Sequence, residues 1–156
     1  GLRLGWLQAG PEHVKKIITS GMLDSGGGLN PFTSSIVRSM CESGDMAQHL
    51  DHLILVYRQR MKTLFNSINE KFEGSAELAY PGGGYFLWVK LPDDIDTGEL
   101  RKAARRCKVN FLPGSRTSAL GSFSHHLRLS ISYNDEDRLQ TGAHRLAAVV
   151  SDTYGR

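Results

Sequence analysis

The sequence predicts an α/β protein in which a small α+β unit follows one long helix. Two observations carry this prediction. Apolar residues recur every three to four positions from residue 45 to residue 72. From residue 76 onward, aromatic and β-branched runs bounded by glycine and proline replace that spacing. The expected order in this second part is β-β-α-β-β-α, with the helices packed on one face of a sheet.

The segment before the long helix is predicted to contain one strand and two shorter helices. The expected elements are a buried strand over residues 2–9, a helix over 11–20, a loop over 23–31 and a helix over 32–43. Pro11 suits the first turn of a helix. The consecutive glycines Gly26–Gly28 require a loop. Gly44 follows the second helix at the position where glycine commonly ends one.

The segment after the long helix contains the predicted sheet. Strands are expected over residues 76–80, 85–91, 109–112 and 127–133, and helices over 97–107 and from Asn134 or Asp135 to about Tyr154. In the last strand the apolar residues Leu127 and Leu129 alternate with Arg128, which therefore faces the other side of the sheet.

The overall composition is that of an ordinary globular protein, and it excludes several classes. The net charge is +3, and the densest basic cluster, residues 101–108, has no interleaved aromatics or nucleic-acid motif, so no nucleic-acid partner is expected. No apolar run reaches the roughly 18 residues needed to span a bilayer. Two isolated cysteines favour a reducing, cytoplasmic location. The histidine pairs lack a third ligand at metal-binding spacing, so no metal is expected.

Four glycine-, proline- or arginine-containing motifs occur in one order and carry a family resemblance. They are Gly-Leu-Arg-Leu-Gly-Trp at residues 1–6, Pro-Gly-Gly-Gly-Tyr-Phe-Leu-Trp at 81–88, Val-Asn-Phe-Leu-Pro-Gly at 109–114 and His-Leu-Arg-Leu-Ser at 126–130. In this order they resemble the C-terminal half of the class I/II, fold-type I aminotransferases that depend on pyridoxal 5'-phosphate. The residues of these motifs are most similar to those of the branch containing 2-aminoadipate, kynurenine-type and aromatic aminotransferases.

The resemblance implies roles for two arginines. Arg3 matches the residue that binds the cofactor phosphate, and Arg128 matches the one that binds the substrate α-carboxylate. A planar guanidinium suits both anions because it can donate two parallel hydrogen bonds. From the residues alone, a salt bridge on an exposed strand face is the favoured interpretation of Arg128. Gly26–Gly28 and Asn30 could line the site or a subunit boundary.

The resemblance also implies what the chain lacks. In the family a lysine upstream of Arg-Leu-Gly binds the cofactor covalently, and that position falls before Gly1. We therefore expect no catalytic residue in this chain and no transamination by it alone. The resemblance implies a large-domain tail over residues 1–44, an interdomain helix over 45–72 and a small domain over 73–156. For the whole protein it implies amino-acid and 2-oxo-acid substrates and a homodimer.

Two other functions fit the same motifs. One is the aminotransferase-like effector domain of a transcription regulator whose winged-helix DNA-binding domain lies upstream. The other is a non-catalytic unit that serves as a partner surface. The complete reading frame discriminates between the regulator and the enzyme. A helix-turn-helix region before the cofactor domain would select the regulator, and an upstream lysine signature without such a region would select the enzyme.

Overall fold

A computed structural model describes residues 2–21 and 30–155. The glycines Gly26–Gly28, which were expected to form a loop that could line the site or a subunit boundary, lie outside the described residues. The elements are α1 Pro11–Ile18, α2 Pro31–Ser43, α3 Asp45–Phe72, β1 Glu77–Leu78, β2 Phe86–Lys90, α4 Thr97–Arg106, β3 Leu112–Pro113, a short 3-10 helix Gly114–Thr117, β4 His126–Ser130 and α5 Glu136–Tyr154. None of the described helices is both long and apolar enough to cross a membrane.

The chain divides into two compact units, residues 1–53 and residues 54–156, and the boundary falls inside α3. Helix α3 has the predicted bounds and contains 28 residues, a length of about 42 Å at 1.5 Å per residue. The division predicted from the resemblance, at residues 44 and 72, stays a prediction.

In the first unit the two predicted helices are confirmed. Proline begins each of them, Asn30 caps α2 by accepting a hydrogen bond from the Thr33 amide, and Gly44 ends α2 in the left-handed conformation. The strand predicted over residues 2–9 is wrong. That segment is neither helix nor strand, and it makes no backbone hydrogen bond to another described segment. A β-strand forms only when a neighbouring strand takes up its backbone donors and acceptors.

The second unit contains a four-stranded antiparallel sheet with strand order β1-β2-β4-β3. The predicted order β-β-α-β-β-α is confirmed, although the strands are shorter than predicted. The third strand was expected over residues 109–112 and instead begins at Leu112. The physical reason is that the Val109 amide donates to the Ala104 carbonyl at the end of α4, so it cannot join the ladder with β4.

The core of the second unit lies between one face of the sheet and the helices. The inward side chains of β2 and β4 are Leu87, Val89, Leu127 and Leu129, all buried. They form a single cluster with residues of α3, α4 and α5, among them Ile68, Leu100 and Leu146. The prediction that the helices cover one face is confirmed, and the opposite face of the sheet carries the polar and aromatic side chains.

Candidate functional site

Arg128 lies in the middle of β4 on the face of the sheet that the helices do not cover. It is half-buried, between the buried Leu127 and Leu129, as the alternation predicts. Its partner across the sheet is Trp88 on β2, and Leu112 on β3 stands on its other side. The central carbon of its guanidinium lies 3.8 Å from the centroid of the Phe86 ring.

The salt bridge that could have explained Arg128 is not formed among the described residues. On the same face, the carboxylate of Glu77 pairs with Lys90 at 2.8 Å, and Asp93 lies 3.8 Å from the same ammonium group. This ion pair raises the pKa of Lys90, first through its hydrogen bond with Glu77. Arg128 is thus a cation whose contact in the described structure is an aromatic ring, so its N–H donors are available to an anion.

Three more rings lie along the same face beside Arg128. The Trp88 and His126 rings stack with centroids 5.4 Å apart, and Phe123 packs edge-on against both of them. The Nδ1 atom of His126 is buried and has no hydrogen-bond partner in the described structure. Burial lowers the pKa of His126, and the charges of Lys90 and His125 lower it further. The neutral imidazole is therefore favoured near pH 7.

The segment that carries Phe123 and His126 is fixed by a buried threonine and a close glycine. Thr97 is fully buried, and its hydroxyl lies 2.8 Å from the carbonyl oxygens of both Ser124 and His126. A Cβ atom at Gly114 would collide with the Phe123 carbonyl and would approach the His126 Cβ to 2.8 Å. The glycine of the Pro-Gly motif is required here because backbone and side chain pack directly against it.

Arg3 lies in the segment before α1, in the first unit, and Arg128 lies in the second unit. The Arg3 side chain is exposed, and it makes no hydrogen bond or ion pair with any described residue. Its backbone has a φ of 56°, in the left-handed region that is unfavourable for residues other than glycine. A guanidinium whose donors are not taken by any described residue has the chemistry required to bind a phosphate.

A cleft in the second unit does not coincide with these arginines. It has a volume of about 400 Å³ and opens on the helix side of the sheet, between α5 and the segment from Lys108 to Asn110, and it does not include Arg128. Within the described ranges, no group of three or more His, Cys, Asp or Glu side chains could hold a metal ion.

Sequence reasoning correctly predicted the face of β4 on which Arg128 lies, and it missed the groups around this arginine. The contact with Phe86 depends on the register between β2 and β4, in which Phe86 is paired with Ser130 and Trp88 with Arg128. The alternation of side chains in both strands was the available signal. It gives the face on which each side chain lies but not the pairing of one strand with the other.

Comparison with known proteins identifies this architecture. The chain is 28% identical over 153 residues, 97% of its length and 36% of the relative's, to aromatic-amino-acid aminotransferase 1 of Thermococcus litoralis. Its structure superposes with a TM-score of 0.85 on the α-aminoadipate aminotransferase LysN of Thermus thermophilus, at 22% identity over 94% of this chain and 37% of that one. The fold is that of the C-terminal part of a fold-type I aminotransferase.

The predicted fold class and the resemblance to aminotransferases are therefore confirmed. A regulator shares the same stretch: the uncharacterized HTH-type transcriptional regulator YdcR of Escherichia coli is 24% identical over 152 residues, 97% of this chain and 32% of the regulator. No family model matches the chain. The chain spans about a third of the length of the curated relatives it matches.

Proposed function

We propose that the whole protein is a pyridoxal 5'-phosphate-dependent aminotransferase that moves an amino group between an α-amino acid and a 2-oxo acid. The observation that carries the proposal is the geometry of Arg128: a half-buried guanidinium on the open face of the sheet, without a carboxylate partner in the described structure. The similarity to an aromatic-amino-acid aminotransferase over 97% of the chain supports it.

In this proposal each arginine binds one anion. Arg128 binds the α-carboxylate that amino-acid and 2-oxo-acid substrates share, and two parallel hydrogen bonds fix the orientation of the substrate. Arg3 binds the cofactor phosphate. When bound, the cofactor supplies the carbonyl carbon that accepts the amino group and the ring that withdraws electrons from the substrate. The chain contributes binding and orientation, and the lysine that the reaction needs is expected outside it.

The substrate branch and the assembly are finer proposals. Motif similarity supports 2-aminoadipate, kynurenine or an aromatic amino acid as donor, and a panel of these donors with one 2-oxo acid would rank them. We propose a cytoplasmic homodimer that does not bind nucleic acid. Light scattering of the whole protein would give its subunit number.

The function is tested by replacing Arg128 in the whole protein. Arg128→Gln removes the bidentate pair, and we expect kcat/KM for both the amino acid and the 2-oxo acid to fall by at least about 100-fold, because the pair comprises two hydrogen bonds to a charged group and each contributes roughly 1.5–3 kcal/mol. Arg128→Lys should restore little, since an ammonium group cannot form the planar fork. Arg105→Gln, on the exposed part of α4, is the control. Unchanged kcat/KM in Arg128→Gln would remove the support for this site.

The second candidate function is an effector domain of a transcription regulator, which the similarity to YdcR favours. The complete reading frame and two assays of the whole protein separate the candidates. A helix-turn-helix region together with a DNA gel shift, and no transamination, would select the regulator. Turnover of amino donor and 2-oxo acid without a DNA shift would select the enzyme.

A further inference from the structure

The contact between Arg128 and Phe86 joins two residues from neighbouring strands. Phe86 pairs with Ser130 in the ladder, so it is the diagonal neighbour of Arg128, a separation that long and aromatic side chains can bridge. The guanidinium carbon lies 3.8 Å from the ring centroid, well inside the roughly 6 Å over which an aromatic face attracts a cation.

The Phe86 ring is itself held in place by its neighbours. The ring centroids of Tyr85 and Phe86 lie 4.5 Å apart, and the ring centroids of Tyr85 and Tyr57, which is on α3, lie 6.3 Å apart. The Tyr85 carbonyl accepts a hydrogen bond from the Ile131 amide, which continues the pairing of β2 with β4. A row of three rings therefore runs from Tyr57 on the long helix through Tyr85 to Phe86, the ring beneath Arg128.

An aromatic ring suits a cation that must later bind an anion. A carboxylate partner would occupy the N–H donors of Arg128, and a substrate would have to displace it. The Phe86 ring attracts the positive charge through its face and uses none of those donors. It also restricts a long side chain whose freedom would otherwise be lost when the substrate binds.

We infer that Phe86 is a positioning residue that holds the Arg128 guanidinium ready for the substrate carboxylate. This inference rests on the role proposed for Arg128. Loss of the ring should weaken substrate binding and leave the chemical step nearly unchanged, because the ring does not touch the reacting atoms.

The kinetic test uses Phe86→Leu and Phe86→Tyr in the whole protein. Phe86→Leu should raise KM for the amino acid and for the 2-oxo acid by roughly 2- to 30-fold, the range expected for a cation–π contact, with kcat changed less than KM. Phe86→Tyr keeps the aromatic face and should restore KM. Phe65→Leu, on α3 and against Tyr80, is the matched control for loss of a phenyl ring elsewhere in the same unit.

A second measurement reports the contact without activity. The Nε–Hε signal of Arg128 in a ¹H–¹⁵N spectrum of the whole protein, assigned by its disappearance in Arg128→Lys, should be shifted upfield by the ring. Phe86→Leu should move it downfield, and Phe65→Leu should not. A signal that does not respond to Phe86→Leu would overturn the inference.

The two measurements separate failure of the inference from failure of the proposed function. If Phe86→Leu moves the signal but not KM, while Arg128→Gln does impair substrate binding, Phe86 is not a positioning residue and the function stands. If Arg128→Gln leaves KM unchanged, the proposed role of Arg128 fails and the inference fails with it.

Discussion

The two units of this chain are stabilised in different ways. Every buried apolar side chain of the described residues lies between Met61 and Val150, within the second unit. In the first unit none of the described residues is buried, and large apolar side chains such as Trp6 and Phe32 are 84% and 78% exposed. The candidate carboxylate site is built on the unit that has a core.

The difference indicates which forces hold each unit. Burial of apolar surface contributes about 25 cal/mol per Å², so the second unit obtains most of its stability from packing between distant segments. The first unit depends on local helix signals: proline at the first turn, the Asn30 cap and the glycine at the end of α2. Helices α1 and α2 have 8 and 13 residues, and isolated helices of such length are marginal in water.

The largest expected effect on the free energy of unfolding comes from truncating a buried isoleucine in the second unit, and the comparison is with an exposed isoleucine in the first unit. Ile68→Ala in the core should lower the free energy of unfolding by about 2–5 kcal/mol, since Ile68 is fully buried. Ile17→Ala on α1 should change it by less than about 0.5 kcal/mol, because this side chain is 47% exposed. Urea unfolding followed by Trp88 fluorescence, in a Trp6→Phe background, measures both. Equal losses would mean that the two units share one core.

The next largest effect comes from adding a methyl group at a glycine that has close neighbours, and the comparison is with a glycine that has open space around it. Gly114→Ala forces a methyl group against the Phe123 carbonyl and the His126 backbone, and overpacking of this kind costs about 1–3 kcal/mol. Gly142→Ala, inside α5 with open space at its Cβ, should instead stabilise the unit by about 0.5–1 kcal/mol. Thermal unfolding gives the sign of both changes. Stabilisation by Gly114→Ala would show that the 123–126 segment is free to move.

The difference between local signals and contacts between distant segments also explains which elements the sequence could predict. The bounds of α3 were predicted correctly because apolar periodicity and the glycine before it are local signals. The strand over residues 2–9 was wrong because a strand depends on a partner that local sequence does not specify. The start of β3 was wrong because one amide, that of Val109, is taken by the end of α4.

The candidate site was predictable in part for the same reason. Alternation in β4 correctly gave the face of Arg128, and motif order gave the family fold. The ring beneath Arg128 was not predictable, because β2 and β4 pair across an intervening helix and strand and their register is a tertiary property. Local patterns thus predicted most of the elements, whereas the contacts between elements required the structure.

A smaller effect compares equivalent helix caps in the two units. Asp135→Ala removes the acceptor for the Arg138 amide at the start of α5 and should lower the unfolding free energy of the second unit by about 1 kcal/mol. Asn30→Ala removes the acceptor for the Thr33 amide and should reduce helical circular dichroism without moving the Trp88 transition. Asp135→Asn keeps a capping oxygen and is the control. A shift of that transition in Asn30→Ala would contradict the comparison.

The smallest expected effect is a pH dependence of the second unit that depends on His126. Burial lowers the pKa of His126 in the folded state from its ordinary 6.5, and the nearby charges of Lys90 and His125 lower it further, opposed by Glu77 and Asp93. Between the lowered value and about 6.5 the unfolded chain binds a proton that the folded chain does not, so stability decreases as pH falls through that window and is constant below it.

His126→Phe keeps a ring against Trp88 and cannot titrate, so its unfolding free energy should lose this part of the pH dependence. Urea titrations at several pH values across the window would measure the slope in both proteins, and an unchanged slope in His126→Phe would assign the dependence to another group.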